Sequence, residues 1–194
     1  MVNLTRIYTR VGDDGTTSLG DLSRTGKNDL RLVSYADVDE ANSTVGVALA
    51  IGALPADVAA LLVTVQNDLF DVGADLCTPV RADAKHSPLR VTDTYVTRLE
   101  EACDAYNERL AKLRSFVLPG GTPGAALLHV SRTVVRRAER STWAALAVHG
   151  DAMNPVTARY LNRLSDLLFI LARTANLAEA GGSGDVLWQP GGGR

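Results

Sequence analysis

Aromatic residues, cysteine and net charge are all scarce in this sequence of 194 residues, and each scarcity excludes a class of protein. Phe, Trp and Tyr make up 5% of the chain, too few for a platform on which single-stranded nucleic acid stacks. The formal net charge of -2 argues against a general nucleic-acid binder, whose surface would be strongly basic. We therefore expect no nucleic-acid partner.

The few cysteines and the absence of a long apolar run indicate in which cellular compartment the protein works. Cys77 and Cys103, the two cysteines, are expected to be reduced, buried small hydrophobes of a cytosolic protein. The N-terminus lacks the apolar run of a signal peptide. The apolar stretch Ala48–Val65 is broken by Pro55 and Asp57, so no membrane span is expected. The sequence predicts a single cytoplasmic domain over residues 1–194.

Five amphipathic segments with short connections, and no strand pattern, predict an all-α, up-and-down, ferritin-like five-helix bundle. The expected helices are about Asp29–Ile51, Ala56–Leu76, Thr92–Lys112, a segment from the turn after Pro119 to about His149, and Pro155–Ala180. Residues 1–29 form an N-terminal loop, 30–180 the bundle and 181–194 a tail of flexible-linker composition. Trp188 in that tail either packs back on the body or closes over something.

The second predicted helix carries an apolar and an acidic strip. Phe70 is placed inward with Leu62, Val65, Leu69 and Gly73. An acidic strip of three carboxylates is expected to be a solvated face rather than a metal site, because no histidine joins it. Its members are Asp68, Asp71 and Asp75.

The segment Pro119–Trp143 is the most informative, because a glycine-rich turn leads into a helix with a cluster of guanidinium groups. At about 100° per residue one face carries six polar or aromatic residues. They are His129, Arg132, Arg136, Glu139, Arg140 and Trp143. One carboxylate cannot neutralise so many positive charges, and the guanidinium fork suits phosphate oxygens. Two interpretations stay open: a solvated face with i,i+4 pairs, or an anion site.

The N-terminal stretch Ile7–Ser18 is rich in Gly, Thr and Asp, which make turns with exposed backbone N–H groups. Such a loop either cradles an anion or is an ordered arm. Gly26-Lys27 is not a P-loop, because five residues separate Gly20 from Gly26 and Asn28 follows the lysine.

Several chemistries are excluded by missing motifs. A di-iron bundle needs inward Glu-x-x-His pairs, which are absent, as are a His/Cys zinc cluster and a G-x-S-x-G elbow. What remains is binding of an anion, with a polyphosphate nucleotide as the natural ligand. The candidate donors are Arg132, Arg136, Arg137 and Arg140, with Lys27 and the N-terminal loop as helpers.

Six motifs follow one another along nearly the whole chain, from Ile7 to about Ala175. They are Tyr8–Gly15 (YTRVGDDG), Lys27–Asp29 (KND), Val38–Asn42 (VDEAN), Phe116–Gly121 (FVLPGG), Arg136–Arg140 (RRAER) and Asn162–Asp166 (NRLSD). Together they resemble the PduO-type ATP:cob(I)alamin adenosyltransferases, a family of corrinoid adenosyltransferases. The tail departs from the family in length and glycine content, so no C-terminal role is carried over.

The resemblance implies a homotrimer of five-helix bundles with ATP bound between subunits. It implies that cob(I)alamin attacks the 5′ carbon of ATP, giving adenosylcobalamin and triphosphate. The expected companion of the phosphates is Mg²⁺, with no protein side chain assigned as a metal ligand. A reductase and an adenosylcobalamin-dependent mutase are possible partners. The alternative is a non-catalytic carrier or sensor of ATP or cobalamin built on the same bundle.

The resemblance also implies roles for individual residues. Those expected to wrap the triphosphate are Thr9, Arg10, Val11, Gly12, Thr17, Ser18 and Lys27. Those expected to complete the nucleotide site are Arg136, Arg137, Glu139, Arg140 and Asn162. Asp39 and Arg132 would form a salt bridge across the subunit interface. Phe116, otherwise a core residue on its context alone, would cover the lower face of the corrinoid, excluding the axial base and leaving cobalt four-coordinate.

Overall fold

The structure is a computed structural model that describes residues 8, 10–82 and 87–191. Within these ranges the chain forms five α-helices, as predicted. They are α1 (Leu30–Ile51), α2 (Ala56–Cys77), α3 (Asp93–Asn107), α4 (Pro123–His149) and α5 (Val156–Ala175). None of these helices has both the length and the apolar character needed to cross a membrane.

The arginine-bearing helix α4 lies at the centre of the bundle. It packs against α1 and α5, while α2 packs on α1 and α3 packs on α5. Leucine and valine side chains from α2, α4 and α5, such as Leu69, Val135 and Leu168, are fully buried between them. Because its apolar stripe is held in this core, α4 has one polar side fixed in position.

Two predictions about burial are wrong. Phe70 is not inward: 71% of the residue is exposed. It follows Leu69 by one position, about 100° round the helix, which places it beyond the edge of the buried stripe. Cys77 is half-buried, whereas Cys103 is buried as expected, and both are free thiols.

The acidic strip of α2 is also not a solvated face. Asp75 is buried and accepts hydrogen bonds from the Val91 backbone N–H at 2.8 Å and from Asn154 Nδ2 at 2.6 Å, beside an ion pair with Arg90. Asp68 is buried against Arg98 Nη2 at 2.9 Å. These carboxylates hold the connections around α2 in place, because buried charges persist only when paired.

The prediction of no strand is wrong for the N-terminal loop. β1 (Thr16–Ser18) pairs antiparallel with β2 (Arg24–Gly26), and together they form a hairpin. Side chains shape its turns: Asp14 accepts from the Thr16 N–H at 2.9 Å, and Asp21 accepts from the Ser23 N–H at 3.0 Å. Strands of three residues are too short to show a period of two in the sequence.

Two helices end earlier than predicted. α3 stops at Asn107 rather than near Lys112, and α5 stops at Ala175 rather than near Ala180, where a separate 3₁₀ turn lies. Asn176, directly after α5, accepts from the Thr122 N–H at 2.9 Å and donates to the Gly120 carbonyl at 3.0 Å. This amide fixes the glycine-rich turn that opens α4.

Candidate functional site

A cleft of about 390 Å³ opens on the polar side of α4. Its lining residues are Thr133, Arg136, Arg137, Glu139, Arg140 and Asn162. The structure therefore brings together all five residues that the sequence analysis assigned to the body of the nucleotide site. Asn162 comes from α5, and its Nδ2 donates to Glu139 Oε1 at 3.2 Å, which ties the two walls of the cleft together.

The cleft keeps an excess of positive charge. Among the described residues, no carboxylate forms an ion pair with Arg136 or Arg140. Arg137 is different, because it pairs with Asp37 at 3.3 Å and with Glu40, both on α1. Hydrogen bonding to Glu40 and the two acidic charges raise the pKa of Arg137. Two unpaired guanidinium groups in one cleft favour the anion-site interpretation over a solvated face laced with ion pairs.

The hairpin carries the other group of predicted phosphate ligands. Thr17 and Ser18 lie on β1, and Lys27 follows β2. The ammonium group of Lys27 lies beside Gly12, since a Cβ placed on that glycine would be 3.2 Å from Lys27 Nζ. Thr9 lies outside the described residues.

The start of the loop is held by an arginine that the sequence analysis did not single out. Arg24 Nη2 donates to the Val11 carbonyl at 3.1 Å and also contacts Thr16. Arg10, next to Val11, has a left-handed backbone with φ of 63°. Nothing in the residue pattern marks Arg24, because its role depends on the strand pairing that the sequence did not reveal.

The hairpin is anchored to the far end of α4. Asp29 caps α1 through the Arg31 N–H at 2.8 Å, accepts from Thr25 Oγ1 at 2.9 Å and lies 2.8 Å from His149 Nε2. Burial raises the pKa of Asp29, but the hydrogen bonds from Arg31, Thr25 and His149 outweigh it, so the pKa is lowered overall. The hairpin thus has a fixed position relative to α4.

Within one chain, the hairpin and the arginine cleft are separate. The hairpin sits at His149, nine residues beyond Arg140, which is about 14 Å along a helix at 1.5 Å per residue. No hairpin residue lines the arginine cleft. One chain therefore holds two halves of the predicted phosphate site, at different heights on α4.

A second, more open cleft of about 680 Å³ brings Phe116 and Arg132 together. The other lining residues are Leu113, Arg114, Ser115, Val117 and Phe169. Phe116 is 77% exposed, so it is not a core residue in this chain. Burial and the neighbouring charge of Arg136 lower the pKa of Arg132.

The C-terminal segment 184–188 packs back on the body beside this cleft. The Trp188 ring meets the Phe116 ring edge-to-face, with centroids 5.9 Å apart. The backbone N–H of Trp188 donates to the backbone carbonyl of Phe116 at 2.8 Å, and Val117 forms an antiparallel bridge with Leu187. Of the two possibilities for Trp188, packing on the body is the observed one, and this segment does not lie free as a linker.

Asp39 lies exposed on α1, in a shallow cleft with Tyr35 and the exposed ring of Phe70. It forms no ion pair with Arg132 within the described part of one chain. The predicted Asp39–Arg132 salt bridge joins two subunits, so it stays a prediction.

The chain is similar to known proteins over its full length. The sequence profile of the family described as cobalamin adenosyltransferase matches residues 7–175. A corrinoid adenosyltransferase of Mycobacterium tuberculosis is 60% identical over 193 residues, covering 100% of this chain and 97% of that protein. A corrinoid adenosyltransferase of Bacillus subtilis is 40% identical, covering 95% of this chain and 92% of that protein.

Solved structures agree in fold. A variant of a PduO-type ATP:corrinoid adenosyltransferase from Lactobacillus reuteri, in complex with cobalamin and ATP, superposes with a TM-score of 0.85 at 34% identity. The match covers 95% of this chain and 99% of that one. With the profile match and the arginine cleft, these likenesses show that the chain belongs to the cobalamin adenosyltransferase family.

Proposed function

We propose that this chain transfers the 5′-deoxyadenosyl group of ATP to the cobalt of cob(I)alamin. Cobalt supplies the electron pair for the new cobalt–carbon bond, the bond between the 5′ carbon and oxygen breaks, and triphosphate leaves with that bond's electrons. Family membership and the likeness to a corrinoid adenosyltransferase complexed with cobalamin and ATP support this reaction. The single observation that carries it is the cleft with two guanidinium groups that have no carboxylate ion pair among the described residues.

Arg136 and Arg140 stabilise the leaving group. Negative charge grows on the triphosphate as the carbon–oxygen bond breaks, and preorganised cationic donors lower the energy of that charge most when they are already in place. Glu139 on α4 and Asn162 on α5 tie the two walls of the cleft together, with 3.2 Å between the amide nitrogen and the carboxylate oxygen. Arg137, held by α1 acids, closes the cleft on the third side.

The hairpin of a neighbouring subunit completes the site. Arg10, Val11, Gly12, Thr17, Ser18 and Lys27 offer an amine, two hydroxyls and backbone donors. In one chain these donors lie at a different height from the arginine cleft, by about 14 Å along α4. A homotrimer that places one subunit's hairpin against the next subunit's cleft unites the two halves, and Asp39 with Arg132 would lock that contact. Thr9, outside the described residues, belongs to the same proposed loop.

Phe116 contacts the lower face of the corrinoid. Its exposed ring has no hydrogen-bonding capacity and lies in the same cleft as Arg132. An apolar ring below cobalt displaces the axial base and leaves cob(II)alamin four-coordinate, which makes reduction easier. Trp188 packs on this ring in the present structure.

Magnesium accompanies ATP in this proposal. The described residues contain no group of three or more His, Cys, Asp or Glu side chains placed to hold a metal ion. Mg²⁺ at nucleotide phosphates needs only one or two protein carboxylates, since phosphates and water complete its shell. Glu139 supplies a carboxylate to the lining of the arginine cleft. We place the enzyme in the cytoplasm. A reductase would supply its cob(I)alamin, and a mutase would use the adenosylcobalamin that it makes.

Replacing Arg136 by Ala tests the proposal. A charge-assisted contact to phosphate contributes about 1.5–3 kcal/mol, so adenosylation should fall roughly tenfold to a hundredfold. The control is Arg109→Ala, which removes an exposed guanidinium paired with Asp57 at 2.9 Å, far from the cleft. Initial rates of adenosylcobalamin formation are measured anaerobically with ATP, Mg²⁺ and chemically reduced cobalamin. Equal rates for both variants would contradict the assignment.

A further inference from the structure

His129 has an environment that the sequence did not predict. It was expected on the charged face of α4, yet it is only 2% exposed. Its ring packs edge-to-face on Phe169, with centroids 6.1 Å apart. A buried imidazole needs partners for both nitrogens, because leaving a polar group unpaired inside a protein is costly.

One nitrogen of His129 has a partner, Arg132, that lines the second cleft. Arg132 Nε donates to His129 Nδ1 at 3.4 Å. A guanidinium group carries hydrogen on every nitrogen and accepts no hydrogen bond, so Nδ1 must be the acceptor. The hydrogen of a neutral ring is then on Nε2. With Nε fixed by the histidine, the two terminal nitrogens of Arg132 are left for other partners.

The other nitrogen has no partner among the described residues, and neither does a buried oxygen of the C-terminal segment. His129 Nε2 and Asp185 Oδ1 are both buried without a hydrogen bond. Asp185 Oδ2 is paired with Arg173 Nε at 2.9 Å, and Arg173 Nη2 donates to the Ala111 carbonyl at 2.7 Å. The charge of Asp185 acts on His129 and opposes the effects of burial and Arg132, which together lower the pKa of the imidazole.

We propose that His129 is a positioning residue for Arg132, with its buried Nδ1 accepting a hydrogen bond from Nε and so holding the guanidinium in the second cleft. This inference rests on the proposed function, because Arg132 matters there through its contact with Asp39 of the neighbouring subunit.

Three substitutions of His129 separate positioning from packing. Asn places an amide oxygen near the position of Nδ1, Gln places its amide near that of Nε2, and Leu removes both polar atoms. We expect His129→Leu and His129→Gln to lose roughly tenfold to a hundredfold in kcat/KM for cobalamin, the effect of one charge-assisted hydrogen bond. His129→Asn should retain most of the activity. ATP affinity should change much less than kcat/KM for cobalamin in all three variants, since Arg136 and Arg140 are untouched.

Melting temperatures and a matched control exclude a merely structural effect. Thr142→Val removes a buried polar group from the same helix, where the hydroxyl only donates to the Ala138 carbonyl, and it should leave activity intact. A fully active His129→Leu enzyme would overturn the proposal. So would an Asn variant no better than Leu, or losses that only follow melting temperature.

The pH profile supplies a second readout. Protonation of Nδ1 would remove the acceptor and set a cation against Arg132. The charged groups acting on the ring are Arg132 on α4 and Asp185 of the C-terminal segment, the latter neutralised in part by Arg173 on α5. Wild-type activity should therefore stay level through neutral pH and fall only below the usual histidine pKa of about 6.5. His129→Asn should lack this acid limb; identical profiles would count against the proposal.

Nitrogen NMR on protein with ¹⁵N-labelled histidine decides the tautomer independently of activity. The chain has three histidines, so His129→Asn identifies the signal by its loss. We expect a neutral ring with hydrogen on Nε2 at neutral pH. A ring with hydrogen on Nδ1, or a charged ring, would refute the inference. If wild type formed no adenosylcobalamin, the proposed function would fail, whereas the NMR result would still decide the geometry of His129.

Discussion

At the scale of single residues, the arginine cluster was predictable and the partners of its members were not. Arg136, Glu139 and Arg140 share a face because they are spaced three and four residues apart on one helix, and this spacing can be read directly from the sequence. The burial of His129 depends on packing against Phe169 of α5, a contact between two different helices. Contacts between distant segments leave no local pattern, so a residue-by-residue prediction fails there.

Replacing Phe116 by His tests the role of this ring at the corrinoid. The imidazole could coordinate cobalt from below and keep it five-coordinate, so adenosylation starting from cob(II)alamin should fall steeply while ATP affinity changes little. Stability should fall by at most about 1.5 kcal/mol, since the exposed ring loses only its edge-to-face contact with Trp188.

The matched variant is Phe116→Leu, which keeps an apolar group that cannot bind cobalt. Cobalamin spectra and melting temperatures are recorded for both. A folded Phe116→His protein that still forms four-coordinate cob(II)alamin would show that the ring has another role.

Cys103 should be inert in the folded protein. Burial raises the pKa of its thiol to about 11, so at about pH 8 roughly one molecule in a thousand carries the reactive thiolate. A thiol reagent should modify Cys103 only after unfolding, as followed by mass spectrometry of peptides. Rapid labelling of Cys103 in native protein would mean that α3 opens readily.

At the scale of elements, long helices were predictable and short or irregular pieces were not. The helices α1, α2, α4 and α5 run for 20 or more residues, long enough for their apolar period to be unmistakable. The hairpin was missed because each strand has three residues. The end of α3 was placed too late because Leu110 continues the apolar period beyond the last helical residue.

Asp75 holds together the connections around α2, and its loss should be costly. Replacing it by Ala leaves the Val91 N–H, Asn154 and the Arg90 guanidinium without their shared acceptor. Breaking a buried charge pair typically costs about 3–5 kcal/mol. Urea unfolding measures the change, with Asp104→Ala, an exposed carboxylate on α3, as the control that should stay within about 0.5 kcal/mol. Equal stability of the two variants would contradict the burial of Asp75.

At the scale of the whole molecule, the exposed Phe70 and the division of the proposed phosphate site both support assembly of several chains. Phe70 is 71% exposed and lies beside Asp39, where the proposed subunit contact would bury it. In the proposed trimer the hairpin meets another chain's arginine cleft, because the cleft of its own chain lies at a different height on α4. The sequence pattern showed that Phe70 is apolar, but not whether the chain's own core or a neighbouring subunit would bury it.

Introducing charge at Phe70 should therefore disrupt the trimer. Phe70→Glu places a carboxylate near Asp39 in the proposed interface, where desolvation and like-charge repulsion oppose assembly. Analytical ultracentrifugation should show a trimer for the wild type and smaller species for this variant, with adenosylation lost in parallel. Leu89→Glu, in the connection between α2 and α3, should remain trimeric. A fully active monomer would contradict a site shared between subunits.

The most direct measurement is the product balance of the wild-type enzyme with ATP, Mg²⁺ and chemically reduced cobalamin under anaerobic conditions. We expect adenosylcobalamin, followed by its spectrum, and triphosphate, resolved by anion-exchange chromatography, to form in equal amounts over many turnovers. A protein that binds both ATP and cobalamin but releases no triphosphate and forms no cobalt–carbon bond would be a carrier, and the proposed transfer reaction would be wrong.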